Sequence, residues 1–232
     1  MKRYVVKNIP RPEKEITEEF ARLGTATVYE AQGKTGLMSD TLKPLSKGYS
    51  ICGPAVTVVC IAGDNLMIHA SVEVCKPGDV VVITTLGESN KHGMIGDLLV
   101  SSFIRQGVKA IIIDSGVRDS MTLREFGLPI WSSHIICTGT SKNQSGWVNA
   151  PAVCGNTLVE PGDLIVADDD GIVVVKKSDI DSSLKKAKAR EEKEEKTREK
   201  IQNGELGIDF YGYRELIKNL GIDYYEKLED IK

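Results

Sequence analysis

Apolar positions along this chain follow two periods, and each change of period marks the edge of an element. Ile16, Phe20, Leu23 and Val28 recur at helical spacing across residues 13–33, interrupted at Gly24-Thr25-Ala26-Thr27. This predicts two helical pieces, with Thr27 as the cap of the second. From Gly48 to Ile61 the apolar residues Tyr49, Ile51, Val56, Val58, Val59 and Ile61 read as extended chain around a Gly53-Pro54 break. Asp64 to Val74 returns to helix, with Leu66, Met67, His69, Ala70 and Val74 on its apolar side.

Lys76-Pro77-Gly78-Asp79 then turns the chain into a buried-type strand, Val80–Thr84, and Glu160-Pro161-Gly162-Asp163 repeats the device before Leu164–Ala167. Proline fixes φ and glycine permits the turn, so the pair reads as shared turn chemistry, not duplicated domains. Between them, Gly93–Asp97 opens a helix running through Leu98, Leu99, Phe103 and Ile104 to Gln106-Gly107. A strand, Ala110–Asp114, follows, then a loop over Ser115–Ser120 and a helix around Met121–Phe126. That helix closes at Gly127-Leu128-Pro129, and Ile130-Trp131 begins another strand. Asp168-Asp169-Asp170-Gly171 forms a hairpin turn between Leu164–Ala167 and Ile172–Val175. Helices alternating with apolar strands predict an α/β fold, a sheet covered on a face by helices. From Ser178 the pattern changes: residues 184–203 are dense in Lys, Glu and Arg, a solvated helix with i,i+4 opposite charges, followed by a partly apolar tail over 204–225.

Composition narrows the class. The 232 residues are 41% hydrophobic and 27% charged, which supports a packed core, and a formal net charge of −3 gives no basic footprint for nucleic acid. Met1 to Val6 contains no apolar signal core, and runs such as Val80–Ile83 are too short to span a bilayer, so no membrane partner is expected. Five widely spaced cysteines, no Cys-x-x-Cys and three histidines argue against a disulfide framework or structural zinc. Small buried thiols in a reducing cytoplasm are the expectation.

Two segments carry candidate chemistry. Gly93-Met94-Ile95-Gly96-Asp97-Leu98-Leu99 is a glycine-rich helix start, where orphan N–H groups at Gly96, Leu98 and Leu99 can meet a carboxylate. Taken alone, the segment is more commonly an ordinary helix start with Asp97 near its cap. Ile112-Ile113-Asp114-Ser115-Gly116-Val117-Arg118-Asp119 is a buried strand ending in an Arg–Asp pair. Ligands in open α/β sheets commonly sit beyond such strand ends. There an arginine can grip a carboxylate and an aspartate can ligate a hard cation, although a salt bridge or loop cap also uses this pairing.

These segments occur in order with Val6–Pro12, Thr25–Gly33, Gly63–His69, both Pro-Gly-Asp turns, Asp168–Gly171 and Gly204–Arg214. Together they resemble the class II aldolases acting on 4-hydroxy-4-methyl-2-oxoglutarate and 4-carboxy-4-hydroxy-2-oxoadipate, within the regulator of ribonuclease activity A superfamily. The resemblance implies a layered β/β/α swivelling-type core over residues 1–180. A charged helical extension over 181–232 would contact a neighbouring subunit in a homotrimer or homohexamer. It implies that Asp119 binds Mg²⁺ or Mn²⁺ and that Asp97 holds a water of the metal's shell. Arg118 would contact the pyruvyl part of a 2-oxo acid substrate, and the Gly96–Leu99 backbone would take its carboxylate through Leu98 and Leu99. A glutamate from a neighbour's C-terminal helix, Glu194 in the favoured register, and Glu30 would add carboxylates. Departures from the pattern are Asp97, where glutamate is also common, the polar Asn90-Lys91-His92, and Ser120-Met121-Thr122.

The implied reaction is aldol cleavage to pyruvate and a second 2-oxo acid, with oxaloacetate decarboxylation through the same enolate. The alternative from the same superfamily is a non-enzymatic protein regulator of a ribonuclease, against which the long tail over 184–225 argues. A methyltransferase is disfavoured because no Gly-x-Gly-x-x-Gly follows a predicted strand.

Overall fold

In a computed structural model, residues 2–87 and 91–231 are described. Asn90 lies outside them. The chain divides into two units, Met1–Lys188 and Ala189–Lys232.

In chain order the elements are β1 (Tyr4–Val5), α1 (Lys14–Ala31), β2 (Lys43–Pro44), β3 (Ile51–Ile61), α2 (Leu66–Val72), β4 (Val80–Leu86) and β5 (Gly93–Ile95). Next come α3 (Asp97–Arg105), β6 (Ala110–Val117), α4 (Ser120–Phe126), β7 (Ile130–Ile135) and β8 (Trp147–Val148). The last are β9 (Ala152–Cys154), β10 (Thr157–Val159), β11 (Leu164–Ala167), β12 (Ile172–Val175), α5 (Ile180–Gln202), α6 (Gly207–Phe210) and α7 (Tyr213–Asn219).

The main sheet runs in the order β1-β8-β3-β4-β6-β7-β2, with β3, β4, β6 and β7 parallel. Parallel neighbours need crossovers, and α2, α3 and α4 supply them. Alternate side chains of the central strands enter different cores. Val81, Ile83, Ile111 and Ile113 pack with Ile68, Leu99, Phe103 and Leu123 of the three helices. Val80, Val82, Ala110 and Ile112 face Ile165, Ala167, Ile172 and Val174 of the β11–β12 hairpin. Burial on both faces is why these strands read as unbroken apolar runs. The hairpin's other face, Leu164, Val166, Val173 and Val175, packs on Phe20, Leu23 and Val28 of α1. The result is the expected mixed α/β layering, with two layers of β structure between helices.

β3 belongs to both layers. Its first residues, Ile51–Pro54, pair antiparallel with β11, and Ala55–Ile61 pair parallel with β4. Gly53-Pro54 is therefore no break: the strand continues through it and changes partner there. Space explains the glycine, because a β-carbon on Gly53 would overlap the Gly78 carbonyl oxygen.

The interruption in α1 is real but capped differently from expectation. Gly24 alone leaves helical geometry (φ 76°, ψ 167°), and helix resumes at Thr25. The cap is the Asp168 carboxylate, which accepts from Thr25 N–H at 2.8 Å and Thr25 Oγ1 at 2.6 Å. Thr27 lies inside the helix. In α2 the buried residues are Met67, Ile68 and Ser71, whereas Leu66 and His69 face outward. Their apolar-side assignment fails because α2 is only seven residues long, and its buried face is set by Ile68 on the sheet.

The two Pro-Gly-Asp turns share one hydrogen-bonding scheme. Lys76 N–H donates to Asp79 Oδ2 at 2.8 Å, and Glu160 N–H to Asp163 Oδ2 at 2.9 Å. Both aspartate side chains are fully buried, each held by a cation: Arg11 at 2.8 Å and Lys176 at 2.9 Å. All five cysteines are free thiols, four of them buried. Burial pushes the Cys60 thiol up to about 12.

In the second unit, Glu194 on α5 pairs with Arg190 at 2.9 Å and Arg198 at 3.7 Å, the i,i+4 pairing expected of a solvated helix. Tyr211 stacks on Tyr213 with ring centroids 5.3 Å apart, and Arg214 pairs with Asp209. Among the described residues, no helix is long and apolar enough to cross a membrane.

Candidate active site

The two candidate segments meet because three residues read as helix are in fact strand. Gly93–Ile95 forms β5, parallel to the end of β6, with Gly93 opposite Gly116 and Ile95 opposite Val117. β6 itself continues to Val117, so the loop expected over 115–120 shrinks to Arg118 and Asp119. Arg118 N–H donates to Ile95 O at 3.0 Å, which extends the pairing by one bond. α3 therefore starts beside the Arg–Asp pair.

Asp119 caps α4 in the left-handed conformation, φ 56° and ψ 33°, and Leu123 N–H donates to its carbonyl at 3.0 Å. Aspartate is among the few residues that tolerate this region. The conformation turns its carboxylate back towards α3. Asp97 N–H donates to Asp119 Oδ2 at 3.2 Å, and Arg118 Nε lies 3.4 Å from the same oxygen. Asp97 Oδ1 accepts from Leu98 N–H at 2.7 Å. Leu99 N–H has no acceptor among the described residues. Gly96, the cap of α3, is extended (φ −141°), so its requirement is spatial.

This junction forms one wall of a cleft of about 210 Å³ that includes Arg118 and the backbone of Gly96–Leu99. Asn65, His69, Thr140 and Lys142 line the same cleft. Partial desolvation by its surroundings first, and then the Lys142 charge, hold the His69 pKa below the ordinary imidazole value although the ring is exposed on one side. Asn65 Nδ2 donates to Met94 O at 2.9 Å, while its buried Oδ1 receives no hydrogen bond from the described residues. A larger cavity of about 470 Å³ lies between the end of α1, β12 and the start of α5, and none of the candidate residues lines it. The smaller cleft is the better candidate, because convergent charge and unused backbone donors define a site more sharply than volume.

Of the residues singled out in the sequence, Gly96, Asp97, Leu98, Leu99, Arg118 and Asp119 come together. Glu30 pairs with Lys34 at 3.5 Å near the end of α1 and does not line the cleft. Glu194 belongs to the second unit. The pattern of the sequence assigns no role to the cleft-lining residues Asn65, His69, Thr140 and Lys142. Gly63-Asp64-Asn65 was an available signal, a polar run directly before a helix. Lys142 had none, because it sits in an exposed polar loop whose pattern resembles any other.

The donor set can be tested against a divalent cation. Asp97 and Asp119 carry hard carboxylates and are linked by the Asp97 N–H, and the Asp119 side chain is 37% exposed. Among the described residues no third His, Cys, Asp or Glu joins them. Two carboxylates fit a cation that keeps most of its shell as water, such as Mg²⁺, and do not fit a closed structural zinc site.

Fold and site together define a layered α/β protein whose cleft holds Asp97, Arg118 and a helix start, with Asp119 bonded to the Asp97 N–H beside it. The chain belongs to the RraA-like family (Aldolase/RraA), which matches residues 25–174. A relative from Halalkalibacterium halodurans, named "putative 4-hydroxy-4-methyl-2-oxoglutarate aldolase", is 30% identical over 193 residues, 83% of this chain and 91% of its own length. The crystal structure of Streptomyces coelicolor RraAS2, described as an unusual member of the RNase ES inhibitor RraA protein family, is 31% identical with a TM-score of 0.73. It covers 82% of this chain and 99% of its own. A structure described as an S-adenosylmethionine:2-dimethylmenaquinone methyltransferase from Geobacillus kaustophilus has a TM-score of 0.60 over 66% of this chain and 95% of its own. At 23% identity it shows the shared fold alone.

Proposed function

We propose that this chain is a divalent-metal-dependent aldolase. It cleaves 4-hydroxy-4-methyl-2-oxoglutarate, or 4-carboxy-4-hydroxy-2-oxoadipate, to pyruvate and a second 2-oxo acid. The observation that carries the reading is the meeting of Asp97, Arg118 and Asp119 at the first turn of α3, with Leu99 N–H unused beside them. The name of the Halalkalibacterium relative supports the same class.

Asp119, with Asp97 beside it, would hold Mg²⁺ or Mn²⁺, which when bound supplies a Lewis acid to the 2-oxo group. Arg118 offers a planar guanidinium for the pyruvyl oxygens. The Leu99 amide, joined by Leu98 when Asp97 releases it, offers donors to the substrate's carboxylate. Cleavage breaks the C3–C4 bond, and its electron pair becomes the enolate of pyruvate. Arg118 stabilises the negative charge on the 2-oxo oxygen. The C4 hydroxyl loses its proton as C4 becomes a carbonyl. Asp97 Oδ2, the oxygen not engaged by Leu98, is the nearby acceptor in this reading. Protonation at C3 completes pyruvate. Oxaloacetate decarboxylation passes through the same enolate and is an expected companion activity.

The reading includes a homotrimer or homohexamer in the cytoplasm, with Glu194 from a neighbouring subunit and Glu30 as further carboxylates. Leu98 and Met121, on the first turns of α3 and α4, are 80% and 76% exposed, which supports cover by another protomer. Pyruvate release from either substrate should require Mg²⁺ or Mn²⁺ and stop with EDTA. Asp119→Ala and Arg118→Ala should each lose about 10²–10³ in kcat/KM. Full activity in either variant would remove that residue from the site, and no pyruvate release by the wild type would sink the activity. The resemblance to RraAS2 favours a second reading, a protein regulator of a ribonuclease. Binding to an RNA-degrading enzyme by a protein that releases no pyruvate would establish it instead.

A further inference from the structure

The cavity of about 470 Å³ at the start of α5 shares no residue with the Arg118 cleft, and its volume suits a small molecule. Two of its side chains are already fixed. Gln32 Nε2 donates to Thr35 O at 2.6 Å and Val174 O at 3.1 Å, and Lys176 Nζ donates to Leu158 O at 2.7 Å and Asp163 Oδ2 at 2.9 Å. A ligand would therefore meet a preformed wall and lose little in ordering it.

The first turns of α5 form another wall. Asp179 directly precedes this 23-residue helix, where an aspartate commonly accepts from the first-turn amides. Here its Oδ1 accepts from Ser178 Oγ at 3.1 Å, and no first-turn amide among the described residues donates to its carboxylate. Ser183 N–H reaches Asp179 O at 2.8 Å, and Ser182 Oγ donates to the same carbonyl at 3.0 Å. The Ser182 amide has no acceptor among the described residues, so the helix presents an unused donor to the cavity.

Ser183 is an independent sign of a ligand. It is 3% exposed and lines the cavity, yet its hydroxyl makes no hydrogen bond among the described residues. It is not one of the unpartnered polar atoms sealed from the surface, so the hydroxyl opens on the cavity. Buried hydroxyls nearly always find a partner, and this one can find it only in what enters. Lys186 lies one turn further along the same face and Asp179 one turn before it. Neither makes an ion pair among the described residues. Seven residues apart, they stand about 10 Å from each other along the helix and do not neutralise one another. The face thus runs from a carboxylate, through unused donors, to an ammonium group. A plain anion would meet Asp179 as a like charge, whereas a ligand with an anion and a cation side by side matches the whole face.

We propose that this cavity binds a free α-amino acid. The ligand's carboxylate accepts from the Ser182 amide, Ser183 Oγ and Lys186 Nζ, and its ammonium group donates to Asp179. Thr35 and Thr157 make the rest of the cavity polar, which favours an uncharged polar side chain. The assignment does not depend on the aldolase reading, because none of these residues lines the Arg118 cleft.

Calorimetry and thermal unfolding of the full chain test it, with L-glutamine and L-serine as probes. Either amino acid should raise the melting temperature as its concentration rises, since it binds only the folded chain. N-acetyl-L-glutamine keeps the carboxylate and loses the cation, and inorganic phosphate is an anion alone. Both should bind at least about tenfold more weakly than L-glutamine. Ser183→Ala and Lys186→Met should each weaken L-glutamine about tenfold. Asp179→Asn should weaken L-glutamine towards the level of its N-acetyl form and leave the N-acetyl form unchanged, a split that general damage to the helix start would not produce. Asp179 and Lys186 are exposed, so these two variants carry the test if Ser183→Ala does not fold. Failure of both amino acids to bind, or binding that survives all three substitutions, overturns the site. Phosphate binding more tightly than L-glutamine, with no response to Asp179→Asn, overturns the amino-acid assignment.

Discussion

Asp119 Oδ2 occupies the space where a β-carbon on Gly96 would stand, and Arg118 Nε lies 2.9 Å from that same point. Gly96 has an extended backbone that any residue can adopt, so the glycine is needed for room and not for conformation. Gly96→Ala should therefore fold with a melting temperature close to wild type while pushing the Asp119 carboxylate away from the start of α3. Displacement of a reactive group by about 1 Å can cost about 10² in rate. The expected outcome is a loss of that order in kcat/KM together with weaker Mn²⁺ binding by calorimetry. Wild-type values for both would show that Asp119 and α3 need not meet for the reaction.

The left-handed backbone at Asp119 separates its chemical role from its structural one. Asparagine tolerates this region about as well as aspartate, whereas a residue without a short polar side chain is strained there by roughly 1–2 kcal/mol. Asp119→Asn should keep the wild-type unfolding midpoint and lose metal-dependent activity. Asp119→Ala should lose the activity and also about 1 kcal/mol of stability in urea unfolding. If Asp119→Asn retained activity with Mg²⁺, a negative charge at this position would be unnecessary.

The sequence made the central strands and the paired segments legible for a physical reason. Strands buried on both faces leave unbroken apolar runs such as Ala110–Ile113, and a ligand loop at a strand end leaves an abrupt polar switch such as Arg118-Asp119. What was not legible depends on distant partners. Gly93–Ile95 is strand only because β6 lies beside it, since three residues carry no period of their own. The cap at Thr25 comes from Asp168, 143 residues away, so local capping rules pointed to Thr27. Lys142 enters the cleft because Asp64, 77 residues from Ser141, holds its loop.

The pKa of His69 offers a direct test of that geometry. Partial desolvation and the Lys142 charge both favour neutral imidazole, so the folded pKa lies below the unfolded value of about 6.5. Between the two values the unfolded chain binds more proton than the folded one. Stability should thus fall as pH drops from about 6.5 towards the folded pKa. Lys142→Met removes the second cause and leaves the first. The His69 midpoint, followed by NMR of its ring protons, should move up without passing the unfolded value. No movement would mean that Lys142 does not approach His69 in solution.

The two Pro-Gly-Asp turns look equivalent but should differ in what their cations contribute. Both Asp79 and Asp163 are fully buried, so loss of the cation strands a carboxylate in each case. Arg11 grips Asp79 through two bonds of 2.8 Å, and among the described residues the other donor to its carboxylate is the Lys76 amide. Lys176 makes one 2.9 Å bond to Asp163 and another of 2.7 Å to Leu158 O from a side chain 37% exposed, and Asp163 keeps the Glu160 and Lys177 amides when it leaves. Removing one partner of a buried pair costs about 3–5 kcal/mol, and Arg11→Ala should fall in that range. Lys176→Ala should cost about 1–2 kcal/mol, since water reaches its head group and two amides still solvate the acid. Urea unfolding of both variants measures the difference directly. Equal losses would mean that the cation, and not the number of remaining donors, decides whether a buried aspartate is tolerated at these turns.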